Sequence, residues 1–299
     1  MQKVSILHLI TAAKNVSPFD VNMAFDAGFD KIMPYTNVVL NEVVALTHDA
    51  MFSRSPSGIK REALFFGGRD IHLALEMQKA AVLSLFTPFK MSTMADPSGA
   101  FTTAAAMLAK IDALLKTSNQ TLSQETIAIF GAAGAVGSTV ALIAATQGAQ
   151  VQLAAHKDVA QMQTYANSLF EQYGFKLKVV DGTNDAAKLR VLNSATVAIC
   201  AAAAGVRVLE NTHILQSNTL KIIADVNAVA PTGAADVDVM SDGDLIVDSQ
   251  ISGIGALVIG QLKYKTQQKL LQNMLTSDAS VNLDFNNAFE VARDILKAT

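Results

Sequence analysis

The chain has 299 residues, 51% of them hydrophobic, with 23 basic against 26 acidic side chains and a net charge of -3. That is enough apolar material for two domains with cores of their own, and the charge balance offers neither a basic patch for nucleic acid nor a polybasic arm for a membrane surface. One cysteine, Cys200, excludes an internal disulfide and a cysteine metal cluster, and fits a reducing cytoplasm.

The opening MQKVSILHLITAAK holds His8 inside its apolar run and only Lys3 ahead of it, so it reads as a buried strand, Val4 to Leu9, and not as a signal peptide. Later apolar runs are cut by Gly, Pro or charge short of membrane-spanning length, so the chain reads as soluble. A helix opens at Ser17 as N-cap and Pro18 as first helical residue, with Asp20 in the first turn where the helix dipole favours a carboxylate, and Gly28 ends it. Lys31 to Pro34 is a second strand, and Thr36 to Asp49 holds a turn and a helix. Glu62 to Phe66 is a strand running into Gly67, Gly68, Arg69 and Asp70, with a helix from Ile71 to Leu83, which makes a first βαβ domain. Met91 to Met94 is its last strand. It ends in Ala95-Asp96-Pro97-Ser98-Gly99, a turn at a strand's carboxyl end, where open α/β sheets hold ligands. Thr102 and Thr103 lead into an Ala-rich helix reaching about Leu115, one of them as a cap. The polar stretch Lys116 to Glu125 is the expected linker.

Thr126 to Lys157 organises the rest of the chain. A β-branched, apolar run breaks at Gly131-Ala132-Ala133-Gly134-Ala135-Val136-Gly137 and an apolar helix comes after it, a variant of the dinucleotide fingerprint with Ala132 where the common form has its first glycine. Gly134 is expected to let the backbone approach a pyrophosphate met by N–H groups and the positive helix end, and Gly137 to let the helix pack close to the strand. A strand from Gln150 to Ala155 closes the unit. At its end an NAD site usually places Asp or Glu, whereas here stand His156 and Lys157, so Lys157 is expected to meet a 2′-phosphate. NADP is therefore favoured, with Asp158 able to serve an NAD ribose.

Next come a helix from Val159 to Gly174, a strand from Leu177 to Val180, a helix from Ala186 to Asn193, and strands Thr196 to Ala201, Lys221 to Val226 and Leu245 to Asp248. Three of these strands end in loops with chemistry in reach: 202–207, 225–232 and 249–255. Ile254 to Leu275 has a helical pattern and crosses back, leaving Val281 to Lys297 as a strand-like piece and a helix on the first domain. The chain thus reads as two-domain α/β, with a substrate domain over 1–118 joined by 268–299. A Rossmann-like domain with a doubly wound parallel sheet spans 119–267, and a cleft between the lobes is expected to bring substrate to nicotinamide.

Across nearly its whole length, through SPFDVNMAFDAGFD, PYTNV, FSR, FGGRD, ADPSGAFTTAAAM, ADVNAVAP and GIGALVIGQLKYKTQ, the sequence resembles the bacterial NAD(P)-dependent methylene-tetrahydromethanopterin dehydrogenases of methylotrophs. It is nearer to the methanopterin-specific branch than to the branch that also takes tetrahydrofolate. The resemblance implies a cytoplasmic homo-oligomer, a trimer or hexamer, that oxidises the methylene bridge of a reduced pterin to the methenyl form and passes a hydride to NADP or NAD. Hydride loss from a carbon between two nitrogens leaves a delocalised amidinium cation, so no obligatory base is needed, and orientation and electrostatics supply most of the catalysis.

The resemblance also implies site residues. Lys263 matches a lysine on the pterin side, there to orient the pterin, the alternative being a surface lysine beside Lys265. Asp20 matches an acid that holds the amino-pyrimidine edge or offsets the product's cation, and Asp96, Ser98, Thr102 and Thr103 are expected to bind substrate. Ala201, Asn227 and Gly255 are expected at the cofactor, a loop-closing turn being the plainer reading of Asn227. The loop AAAAGVR departs from the Ser-Ala-Gly-Pro-Ala-Gly of relatives, and the His156-Lys157 pair departs from the methanopterin-specific branch. His8, His48, His72 and His213 show no partner spacing for a metal, and Arg54 and Arg69 are either ion-paired or placed for an anionic group of the substrate. Two other functions remain: a methylene-tetrahydrofolate dehydrogenase, and a nucleotide-binding sensor that has lost catalysis.

Overall fold

The computed structural model describes residues 3–298. It divides into two compact units, one built from the chain up to Thr102 together with Lys263–Ile295, the other from Thr103–Leu262 with the last residues.

The first unit begins with β1 (Ile6–Ile10), α1 (Pro18–Asp26), β2 (Lys31–Tyr35), α2 (Val43–Phe52), α3 (Pro56–Ile59), β3 (Glu62–Phe66), α4 (Ile71–Ser84) and β4 (Ser92–Ala95). α5 (Ala100–Thr117) comes next, and its first residues belong here. All five residues of β3 are buried, as a strand with both faces covered requires. Ser17 caps α1 by accepting the N–H of Asp20, and Asp70 caps α4 by accepting those of His72 and Leu73. The one-turn α3 carries too few residues for a period and escapes sequence reading.

The second unit runs through β5 (Thr126–Phe130), α6 (Ala135–Thr146), β6 (Gln150–Ala155), α7 (Val159–Tyr173), β7 (Lys178–Asp181), α8 (Asp185–Leu192) and β8 (Val197–Cys200). It continues through α9 (Asn211–Leu215), β9 (Ile222–Asp225), β10 (Asp242–Leu245) and β11 (Ser252–Ile254). Its sheet has the order β10-β11-β9-β8-β5-β6-β7, parallel except for β10 against β11. Read from β7 to β11 this is the Rossmann order, with its switch point between β5 and β8. α10 (Ala256–Thr276) starts in this unit and supplies its residues from Lys263 onward to the first. β12 (Asn282–Leu283) and α11 (Phe285–Lys297) complete the chain. β12 joins the first sheet, whose parallel order is β12-β4-β3-β1-β2, with a switch point between β1 and β3.

The sequence-derived boundaries at 118/119 and 267/268 differ from those of the structure, which fall at 102/103 and 262/263, inside α5 and α10. Lys116–Glu125 is the end of α5 and a tight turn within the second unit: Glu125 is 1% exposed and its carboxylate pairs with Lys221 at 3.1 Å. A second difference concerns the last strands. The chain pairs at Asp242–Leu245, a polar edge strand, and not at Leu245–Asp248, where Ile246 instead bonds back to Ile251 at 2.8 Å. Its partner β11 lies in what the sequence presents as a loop. Among the described residues no helix is long and apolar enough to cross a membrane.

Candidate active site

The first unit holds a buried group of two acids and one lysine. Asp20 lies in the first turn of α1 and is 4% exposed; Asp96 follows β4 and is 0% exposed. Asp96 is held on both oxygens: Oδ1 accepts the N–H groups of Phe101 and Thr102 at 2.9 and 3.2 Å, and Oδ2 accepts the Thr102 hydroxyl at 2.7 Å. The carboxylate thereby caps the start of α5. Lys263 on α10 sets its Nζ 3.4 Å from the centroid of the Phe19 ring, a cation–π contact, and donates to Gln267 Oε1 at 2.6 Å. Gln267 Nε2 in turn donates to Asp20 Oδ1 at 2.9 Å. Gly99, at φ +64°, makes room: a Cβ there would stand 2.9 Å from Lys263 Cε.

Charge and burial shift each titration. Burial, reinforced by the Asp96 charge and opposed by Gln267 and Lys263, lifts Asp20 to about 7. Burial also raises Asp96 against the pull of Lys263 and its hydrogen bonds, and lowers Lys263 against the pull of both acids. Near neutral pH the ionisation of Asp20 changes the charge of the group by one.

Two turns of the same sheet border this group. Ser98, in the left-handed region at φ 54°, donates its hydroxyl to Gly68 O at 2.8 Å, and Gly67 lies 3.9 Å from Asp20 Oδ2 through the position of its absent Cβ. Gly67 and Gly68 line a cavity of about 280 Å³ with Ala12, Ala13 and Arg69, at the β1/β3 switch point. Arg69 is exposed on its rim, whereas Arg54 is bound to buried Glu62 at 2.6 Å, so the ion-pair reading holds for Arg54.

The second unit carries the glycine turn. Gly131 takes φ +83°, and a Cβ on it would stand 2.4 Å from Ala201 O, so the fingerprint loop and the end of β8 touch. A Cβ on Gly137 would stand 2.3 Å from Gly131 O, which fixes that residue by helix–turn packing. Gly134 differs: its φ is -78° and the nearest atom to a Cβ is 3.3 Å away. It is the N-cap of α6 and no side chain caps that end, leaving backbone N–H groups facing outward. These features fit a pyrophosphate. Ala132 and Ala133 fill the turn, Ala132 fully buried, and Ala135 and Val136 start the helix. Ser138 secures the turn by donating to Ala132 O at 2.9 Å.

Of the residues expected at the site, the structure brings Asp20, Asp96, Thr102 and Lys263 together, with Ser98 in the adjoining turn. Thr102 lies inside α5 and serves Asp96 instead of capping; Thr103 is the first residue of the second unit. Asn227 closes its own loop, accepting from Val229 N at 3.0 Å and donating to Pro231 O at 3.1 Å, as the loop-closing reading of this residue expects. At Gly255 a Cβ would stand 2.1 Å from Asp238 O, so the backbone itself demands glycine there. Asp158 caps α7 by accepting from Ala160 and Gln161 on Oδ1, and it is exposed together with His156 and Lys157. Two residues were missed. Gln267 was legible as the i+4 neighbour of Lys263 on one helix face. Asp225, 1% exposed and accepting the N–H groups of Asn227 and Ala234, anchors the loop that Asn227 closes.

Residues 18–98 match the N-terminal domain of methylene-tetrahydromethanopterin dehydrogenase. The chain is 40% identical to an NAD(P)-dependent methylenetetrahydromethanopterin dehydrogenase of Methylorubrum extorquens, over 97% of this chain and 98% of that one. It is 27% identical to the bifunctional protein MdtA of the same organism, over 93% of this chain and 94% of that one. Among solved structures, ornithine transcarbamoylase from Giardia lamblia superposes with a TM-score of 0.52 at 8% identity, covering 93% and 88% of the two chains, a likeness of fold alone.

Proposed function

Because the chain belongs to the family of the NAD(P)-dependent methylenetetrahydromethanopterin dehydrogenases, we propose that it removes a hydride from the methylene group of methylene-tetrahydromethanopterin and delivers it to NADP or NAD, leaving the methenyl carrier. The observation that carries this reading is the buried Asp20–Gln267–Lys263 chain in a protein whose other unit has a Rossmann glycine turn. A dinucleotide held by its pyrophosphate at that turn would supply the nicotinamide as hydride acceptor.

The residues divide the work by charge. The reacting carbon gains positive charge as the hydride leaves, and ionised Asp20 offsets it in a site too dry for water to do so. Lys263 would oppose that charge if it stood alone. Two buried acids outweigh it, so its role is to orient the pterin by donating hydrogen bonds. Asp96, fixed on both oxygens, keeps Lys263 charged without changing place. Lys157, exposed at the end of β6, favours NADP over NAD.

The test is spectrophotometric: reduced nicotinamide should form from the methanopterin carrier, faster than from the folate carrier. None formed from the methanopterin carrier sinks the proposal; faster turnover with folate makes this a folate enzyme, and cofactor binding without hydride transfer makes it a sensor. We also place the enzyme in the cytoplasm as a homo-oligomer of three or six chains, for which exposed Phe52, Leu83 and Phe86 offer apolar surface. A monomeric mass by light scattering would refute that assembly.

A further inference from the structure

We infer that Gln267 is a positioning residue that joins Lys263 and Asp20 into one hydrogen-bonded unit, fixing where the ammonium points and holding the acid in the form that offsets positive charge. The inference rests on the proposed hydride transfer for its catalytic meaning, although the geometry stands without it.

The orientation of the amide follows from its neighbours. A lysine ammonium only donates, so the oxygen of Gln267 must face Nζ, at 2.6 Å, and the NH2 group is left for Asp20 Oδ1, at 2.9 Å. The reverse orientation would set donor against donor. Gln267 is 0% exposed, so water does not stand in for it, and removing the amide leaves buried Asp20 and half-buried Lys263 each short of a bond. Its position four residues after Lys263 puts both on one face of α10, toward α1.

The charged groups around the pair are few. Asp96 acts on both Asp20 and Lys263, and Phe19 covers the ammonium on one side. A neutral amide bridges acid and base without adding charge. A glutamate would be a third carboxylate beside two, and an apolar residue would free Lys263 to swing. Donation to Asp20 also favours its ionised form, which lowers it from where burial alone would put it.

The experiment uses full-length Gln267→Leu and Gln267→Glu, the former also combined with Asp20→Asn. The first readout needs no substrate: the pH dependence of the thermal midpoint, whose inflection near 7 reports Asp20. In both single variants the inflection should move alkaline by about one pH unit, further for Gln267→Glu, and it should vanish when Gln267→Leu is combined with Asp20→Asn. The second is kcat against pH. Its rising limb should move alkaline by the same amount, with kcat at pH 7 lowered about fivefold and the NADP Kd within about twofold of the parent. An inflection that stays in place in either folded variant overturns the inference, as does one that survives Asp20→Asn in the Gln267→Leu background. If Gln267→Leu does not fold, the isosteric Gln267→Glu decides the matter. Absence of hydride transfer in the unmodified protein would sink the proposed reaction and leave the thermal titration to judge Gln267 alone.

Discussion

Asp20 sits where its chemistry and its stability pull in opposite directions. Its ordinary place is below pH 5, yet burial beside Asp96 raises it to about 7. In the unfolded chain it returns to the carboxylate range, so between the two values the folded state holds the extra proton. The stability tied to that proton is fully present below about pH 4 and is lost as the pH rises through 7, an upper bound of about 4 kcal/mol. Asp20→Asn keeps an acceptor for Gln267 and removes the buried charge. It should raise the thermal midpoint at pH 8 and leave it nearly unchanged at pH 4; an equal shift at both would show that Asp20 is not the group titrating. The same variant should lower kcat by about 10² to 10³, the scale of losing one preorganised charge. In the parent, kcat should rise with pH through about 7, and a flat profile would remove Asp20 from the chemistry. Lys263→Ala should lower kcat sharply with NADP binding unchanged, and unaltered kinetics would remove Lys263. At this scale the sequence was legible where a motif carried the residue, as for Lys263 and Asp20. The partner of Asp20 lies 247 residues away along the chain, a pairing that only the folded sheet and α10 create.

The glycine turn shows how one element can hold glycines of two kinds. Gly131 and Gly137 are demanded by the backbone, since a Cβ on either would stand within 2.4 Å of a carbonyl oxygen. Gly134 has ordinary dihedrals and only a 3.3 Å neighbour, so the fold alone does not require it. The requirement we propose is the close approach of a phosphate to an uncapped helix end. Gly134→Ala should keep the thermal midpoint within a few degrees and weaken NADP by about tenfold or more. Gly137→Ala should cost about 2 to 4 kcal/mol of stability in the absence of any ligand. Calorimetric titration of Gly134→Ala with parental affinity would show that the phosphate lies elsewhere. The turn was readable because strand, glycines and helix succeed one another in sequence. The edge hairpin was not: Asp242-Gly-Asp-Leu has no strand-like composition, and it pairs because β11 brings it a partner.

Alternation of strands and helices made the two-unit α/β architecture legible, but not where one unit gives way to the other. α5 and α10 run through the boundaries with uninterrupted helical pattern, so no composition change marks them, and the polar stretch that looked like a linker is a turn. Charge is the other property of the whole molecule with a functional consequence. A net charge of -3 gives a dinucleotide no general attraction, so its phosphates are met by local groups alone. For the pyrophosphate we propose the positive end of α6, which no side chain caps. For a 2′-phosphate we propose Lys157, exposed at the end of β6 beside exposed His156, since Asp158 Oδ1 is bound to the α7 N–H groups. Lys157→Ala should therefore raise the NADP Kd about tenfold, close to 1.4 kcal/mol for one exposed charge pair at low salt, and change the NAD Kd by less than about twofold. Because the pair is exposed, the NADP preference of the parent should shrink between about 0.05 and 0.5 M salt by roughly the amount the substitution removes. Equal weakening of both cofactors would mean that Lys157 serves the β6–α7 turn and not the 2′-phosphate, and a preference indifferent to salt would assign the selection to groups out of reach of solvent.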